Sequence, residues 1–273
     1  TCALPIYTFM KFNKYFYLSA ALAFALCSCS DNDETGGDFT PTIFNVMGKV
    51  EKGPMIRGSH VDMRTLDEYM TPTGSFYSAT IDNNLGDFNY GALKINSPYA
   101  QLTADGYFFN EVDGELSEGT IKLDAIVDLK DNSTINVNVL THLKSKRIHH
   151  LVTTQGMTFK EANAQAQKEL LTQFGLQQYA SKDASQFSLT SGDDASGALI
   201  AISSLVLTDK SDAEIVEFLS ILSNEFGTEG TFSQETKKRI QSGKNYLNAR
   251  LDRISENRLN QLRSHCCRIT RST

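Results

Sequence analysis

Ile121-Lys-Leu-Asp-Ala-Ile-Val-Asp-Leu129 and, a little further on, Val137-Asn-Val-Leu-Thr-His-Leu-Lys-Ser-Lys-Arg-Ile-His-His-Leu-Val152 carry two different hydrophobic periods. In the first, Ile121, Leu123, Ala125, Val127 and Leu129 alternate with Lys122, Asp124 and Asp128, the two-residue period of a half-buried strand. In the second, Val139, Leu140, Leu143 and Leu151 gather on one side of a helix. The change falls near Asp131 to Ile135, with strand signals before it and helix signals after it. That order predicts an α+β protein with segregated elements: an antiparallel β-sandwich over 43–131 followed by an α-helical bundle over 132–262, each with its own core.

Working back toward the N-terminus, Val61 and Met63 alternate with His60, Asp62 and Arg64, and glycines punctuate the runs from Gly48 to Gly119. Short strands separated by turn signals about every ten residues suit a sandwich. The pattern Gly48-Lys-Val50, Gly53-Pro54, Gly58, Val61, Gly86-Asp-Phe88, Tyr99-Ala-Gln-Leu102 and Gly106-Tyr107 resembles the transthyretin-like modules related to carboxypeptidase regulatory domains. The resemblance implies a module that binds, spaces or braces.

Working forward, Thr158-Phe-Lys-Glu161 reads as a capping box, followed by Phe159, Ala162, Ala166, Leu170 and Phe174 on one face and a stop at Gly175. Ala198 to Leu207 is apolar on nearly every side, which predicts the central helix of the bundle. Ser211-Asp-Ala-Glu214 opens the next helix, carrying Ile215, Leu219, Leu222 and Phe226 to a stop at Gly227. Ser233 opens a last long helix with Ile240, Leu247, Leu251 and Ile254. The segment Arg263-Ser-His-Cys-Cys-Arg-Ile-Thr-Arg-Ser-Thr273 has neither acidic residues nor periodicity, and reads as an irregular tail of the kind a frame or assembly error leaves.

The first part of the chain is an address. Residues 1–9 precede a start at Met10 and read as translated upstream sequence, while 10–28 have the layout of a secretory signal. Lys11 and Lys14 supply the positive region, and Tyr15 to Leu26 the apolar run. That run would span about 18 Å as a helix, short of a roughly 30 Å hydrocarbon core. Leu26-Cys27-Ser28-Cys29 resembles a bacterial lipobox, which implies cleavage before Cys29, a thioether-linked diacylglycerol on its sulfur and acylation of the new amino terminus. Cys29 is the better acceptor than Cys27, because small Ser28 precedes it where Leu26 precedes Cys27. Two or more acyl chains anchor a protein stably, so the expected partner is a membrane held through lipid alone. Residues 29–42, with Asp31, Asp33, Glu34 and Asp38, read as an acidic flexible tether. An acidic cluster directly after the lipid-bearing Cys resembles the signal that sends Bacteroidetes lipoproteins to the outer face of the outer membrane.

Composition narrows the function. The net charge is −6 at pH 7, and all 32 acidic residues lie beyond Cys29, which disfavours nucleic-acid binding. The five cysteines are Cys2, Cys27, Cys29, Cys266 and Cys267, so residues 30–265 offer neither a disulfide frame nor a thiolate metal site. Lys52-Gly-Pro-Met-Ile-Arg-Gly-Ser59, Gly106-Tyr-Phe-Phe-Asn-Glu-Val112, Asn136-Val-Asn-Val-Leu-Thr-His-Leu143 and Ala198-Leu-Ile-Ala-Ile-Ser-Ser204 resemble blocks of a family of lipoproteins and cell-surface proteins of Bacteroidetes and related bacteria. The resemblance implies a β module joined to a helical one, and carries no catalytic residue to this chain.

Candidate chemistry is sparse. His142, His149 and His150 are spaced by seven and one, and seven residues of helix rise by about 10.5 Å, too far for two ligands to one metal. Asn110-Glu111 has the residue types of a glycosidase pair without the barrel strands that such a pair needs. Asp82-Asn-Asn-Leu-Gly-Asp87 lacks the alternating ligands and distal Glu of an EF-hand and reads as an Asx-Gly turn. Tyr69, Phe76, Tyr77 and Tyr90 could line a sugar platform. These features predict a non-catalytic outer-membrane lipoprotein, without cofactor or metal, presenting an interaction or structural module to the cell exterior. The alternatives are a glycan- or host-ligand-binding accessory of a nutrient-uptake system and a secreted-side hydrolase.

Overall fold

The computed structural model describes residues 41–131, 134–250, 252–257 and 259–261. The expected lipobox, residues 29–40 of the expected tether and the basic tail lie outside the described residues, while Thr42, expected to end the tether, opens a strand. Nine strands come first: β1 (Thr42–Glu51), β2 (His60–Leu66), β3 (Pro72–Thr80), β4 (Asp87–Ile95), β5 (Tyr99–Gly106), β6 (Phe109–Asn110), β7 (Glu115–Leu116), β8 (Ile121–Asp128) and β9 (Ile135–Asn138). Helices α1 (Val139–Gln155), α2 (Phe159–Phe174), α3 (Asp194–Leu207), α4 (Asp212–Glu229) and α5 (Gln234–Asn248) follow, with 3-10 turns at Gln177–Tyr179 and Ala184–Gln186. The fold is α+β, with strands before helices.

An antiparallel four-stranded sheet runs β3-β2-β5-β8, and a three-stranded sheet runs β4-β1-β9. The alternation of the first sheet is the one written in the sequence. Ile121, Leu123, Ala125 and Val127 of β8 join Val61 and Met63 of β2 and Leu102 of β5 in a core that also takes Val46, Val50 and Phe88 from the second sheet. Tyr90 ties the sheets, its hydroxyl donating to the Val61 carbonyl at 2.6 Å. On the other face of β8, Asp124 meets His142 and Ile126 joins an apolar cluster with Leu151 of α1 and Phe159 of α2.

Two expectations about the sheets and the core need correction. The strand module is not wholly antiparallel, because β9, inside the stretch expected to be helical, pairs parallel to β1 from Gly48↔Ile135 to Glu51↔Asn138. The chain thus leaves β8, crosses to the other sheet, and enters α1 from there. Gly48 permits the close approach: a Cβ on it would lie 1.7 Å from the Ile135 carbonyl oxygen. Nor do sheet and helices have separate cores. One buried cluster runs from Val46 of β1 to Ile254, and the described residues make one compact unit.

The helix signals mark starts better than centres. Thr158 and Glu161 form the expected capping box, and Gly175 closes α2 in the left-handed conformation. Glu214 accepts from the Ser211 N–H at 2.8 Å at the start of α4. That helix runs past Gly227 to a left-handed cap at Gly230. Gly227 is instead buried against α1, where a Cβ would come within 2.8 Å of the Lys146 Cβ. The last helix ends at Asn248 and helical geometry resumes at 252–257, while Leu251 lies outside the described residues. The central helix is α1, not α3. It packs on β8, α2, α4 and α3, and its buried residues include Thr141, Lys144, Ser145 and Arg147.

The junction between β9 and α1 is Asn138, which has no exposed surface. Its Oδ1 accepts from the Thr141 N–H at 3.0 Å, and its Nδ2 donates to the carbonyls of Ala184 and Phe187 at 2.8 and 3.3 Å. Asn138→Ala removes a helix cap, a loss of about 0.5–2 kcal/mol. It also strips buried carbonyls of a donor, at roughly 1–3 kcal/mol. Urea unfolding of the variant is expected to show a loss of about 3 kcal/mol, and a loss below about 1 kcal/mol would contradict this role.

Candidate functional site

Leu26, Cys27, Ser28 and Cys29 lie outside the described residues, so the sites that geometry can define belong to the folded part. There the structure disperses the residues singled out by sequence. Asn110 closes the β6–β7 turn, its Oδ1 accepting from the Val112 N–H at 3.0 Å, while Glu111 is buried beside Lys52. Asp87 is held by Lys49 and by Asn83 Nδ2 at 2.6 Å, and Asn83 Oδ1 accepts from the Leu85 N–H, the bonding of an Asx turn. Of the four aromatics, Tyr69 and Phe76 are exposed, while Tyr77 and Tyr90 pack against the core.

Lys52 forms one unusual centre. It is fully buried between the strand module and α4, its Nζ lies 4.4 Å from the centroid of the Phe108 ring, and that Nζ has no hydrogen-bond partner. Ser203 of α3 donates to its backbone carbonyl. Asp212, whose Oδ2 accepts from the N–H groups of Glu118 and Gly119 at 2.7 and 2.6 Å, contributes a nearby negative charge. Burial nevertheless dominates, and lowers the lysine pKa from 10.5 to about 7 against the opposing charges of Glu111 and Asp212.

Two recesses lie along α1 and α4. One recess of about 370 Å³ is lined by Lys146, His149, His150 and Thr153 of α1 with Asn224 and Thr228. A neighbouring recess of about 360 Å³ takes Asp124, His142, Lys146, Ser220 and Ser223. Asp124, His142 and a serine are the residue types of a hydrolytic triad, but the buried Ser223 hydroxyl has no hydrogen-bond partner and so is not bonded to the ring. His142 Nδ1 lies 3.2 Å from the Asp124 backbone nitrogen and 3.4 Å from its carboxylate, so both contacts with β8 fall on one ring nitrogen. Burial pushes the Asp124 carboxyl up, and hydrogen bonds from His142 and Thr103 outweigh it to leave the pKa below the ordinary value. His142 thus joins α1 to β8. Among the described residues no cluster of three or more His, Cys, Asp or Glu could hold a metal.

The third place is an apolar cleft of about 370 Å³ between α3 and α5, closed at its end by Phe174, Leu176 and Ile254. Its floor is one face of α3, formed by Gly197, Ile200, Ala201 and Ser204; its far wall carries Lys244 and Leu247. Gly197 and Ala201 are exposed although the helix is apolar nearly all round. Ser204 is 1% exposed, and its hydroxyl has no partner. The volume and lining are those of a small-molecule site, apolar walls with few polar groups. The sequence had marked this helix, but read its apolar circumference as core; the available signal was the small-residue face Gly197, Ala201 and Ser204.

The Lys52 centre makes stability depend on pH. Its folded pKa is lowered, so between pH 7 and 10.5 the unfolded chain holds a proton that the folded chain has lost, and stability rises with pH across that window. The urea midpoint is expected to rise from about pH 7 to about pH 9, and Lys52→Met to flatten that rise; a variant that keeps the full slope would rule out Lys52 as its source. No family model, no curated protein and no solved structure matches the chain.

Proposed function

We propose that the chain is a non-catalytic lipoprotein of the outer membrane, anchored through Cys29 and facing the cell exterior, whose folded part is an interaction module. The observation that carries this is Leu26-Cys27-Ser28-Cys29 behind a short apolar run and ahead of an acidic tether. Peptidase recognition needs the small residue before the cysteine, and stable attachment needs more than one acyl chain, which the modified Cys29 would carry. Among the described residues no helix is long and apolar enough to cross a membrane. We read the strand module as transthyretin-like from its turn glycines, with β9 as an added parallel strand. The apolar cleft supports binding as the role of the folded part, since its walls offer contact area and few groups for proton transfer.

A second reading, a glycan- or host-ligand-binding accessory of a nutrient-uptake system, draws on Tyr69 and Phe76, 67% and 54% exposed on the β2–β3 side of the sheet. Aromatic faces of that kind stack on sugar rings, and Arg64 already lies over Phe76 at 5.9 Å.

Metabolic labelling with a palmitate analogue tests the anchor. The wild-type chain is expected to be labelled and Cys29→Ala to lose the label, whereas undiminished labelling of the variant would remove Cys29 as the acceptor. Protease added to intact cells is expected to cleave the folded part, and complete protection would place the protein on the inner side of the outer membrane.

A further inference from the structure

The helix α3 is the most apolar of the described helices, yet one face of it is left uncovered. Such a helix is stable in water only if something shields it, since apolar surface left in water is destabilising in proportion to its area. Neighbouring elements shield most of it: Leu199, Ile202 and Leu205 are in the core. The remaining face, Gly197, Ile200, Ala201 and Ser204, looks into the cleft.

Three details make that cleft a built site. Ser204 lines it and is almost wholly buried, with an Oγ that bonds nothing. A buried hydroxyl without a partner is destabilising, so the position favours a ligand atom that supplies one. Lys244 also lines the cleft, and its Nζ uses one donor on the Phe174 carbonyl at 3.3 Å, leaving charge and further donors for an acceptor. Finally, a Cβ at Gly197 would meet nothing within 4 Å, so the floor is open at the position where a side chain would fill it.

We propose that the cleft between α3 and α5 binds a small amphiphile, an aliphatic or aromatic body with one anionic or carbonyl-bearing head group, the body lying on Ile200, Leu205, Leu247 and Ile254 and the head meeting Ser204 and Lys244. A medium-chain carboxylate has this chemistry and suits a cavity of about 370 Å³. The proposal deepens the reading of the folded part as an interaction module; it does not depend on the lipid anchor.

Calorimetric titration of the full chain with the saturated carboxylates hexanoate to dodecanoate tests it. One site per chain is expected, with affinity rising along the series until the cleft is full. Gly197→Leu is expected to weaken binding at least tenfold while keeping or raising the melting temperature, because the new side chain enters open space and leucine favours helix over glycine. Ser204→Ala should weaken carboxylate binding several-fold and leave binding of the equivalent alkanol less affected. Absence of binding in the wild type, or binding undiminished by Gly197→Leu in a variant that stays folded, would overturn the site. Binding that appears only when residues 262–273 are removed would also overturn it, by making the chain's own tail the occupant. Loss of carboxylate binding with Cys29 still labelled would refute the cleft alone; the reverse would refute the anchor alone.

Discussion

Asn138 is the constraint on which the two halves of the fold meet. It ends the strand that pairs with β1 and caps the helix that carries the rest of the chain, and its side-chain amide reaches the turn before α3. Its backbone is also engaged, the N–H donating to Thr141 Oγ1 and the carbonyl accepting from the same hydroxyl, both at 2.9 Å. A fully buried residue with this many directional bonds admits one register. Displacing β9 by one residue would put Val137 or Val139 at the cap, and neither has an acceptor for the Thr141 N–H. The parallel pairing at Gly48 and the entry angle of α1 are thus fixed together.

From that cap, α1 runs through the structure as an axis whose specificity is polar. Lys144 donates to Asp183 at 2.9 Å and Gln167 at 3.2 Å, which binds α2 and the turn before α3 to one ammonium. Burial works against the Asp183 carboxylate, but that ammonium and the Ser185 donors hold its pKa far below the ordinary range. One turn on, Arg147 holds Glu169 through two nitrogens and donates to the Thr228 carbonyl, so α2 and α4 share a single guanidinium. Buried pairs of this kind return little net stability after desolvation, and their effect is to penalise any other arrangement of the same helices. Gly227 lets α4 come close enough for the Arg147 bond to form.

This explains what could be read from the sequence and what could not. The strands of the first sheet follow directly from alternation in β2 and β8, because their two faces meet different neighbours. The capping residues Thr158, Glu161, Ser211, Glu214 and Gly175 act locally, so local pattern finds them. The central position of α1 was hidden because Lys144 and Arg147 look like solvated residues until their partners, thirty-nine and twenty-two positions away, are known. The strand β9 was missed for a similar reason: four residues are too few for a period, and all four are buried. The lipobox reading is the opposite case, resting on residue types alone and on no distant contact.

The candidate site shows where local pattern and tertiary structure part. An apolar helix is normally explained by its neighbours, and for most of α3 they suffice. At Gly197 they do not. Glycine within a helix is about 1 kcal/mol less favourable than alanine, a cost usually offset by a close contact that no larger residue allows. At Gly227 such a contact exists with Lys146, and at Gly243 with Leu205, whereas at Gly197 there is none. A sequence shaped only for stability would place a larger residue there and bury part of the face. Retaining glycine keeps the floor open beside the unpartnered hydroxyl of Ser204. Two local departures from stability on one face are the mark of a surface shaped by what it holds.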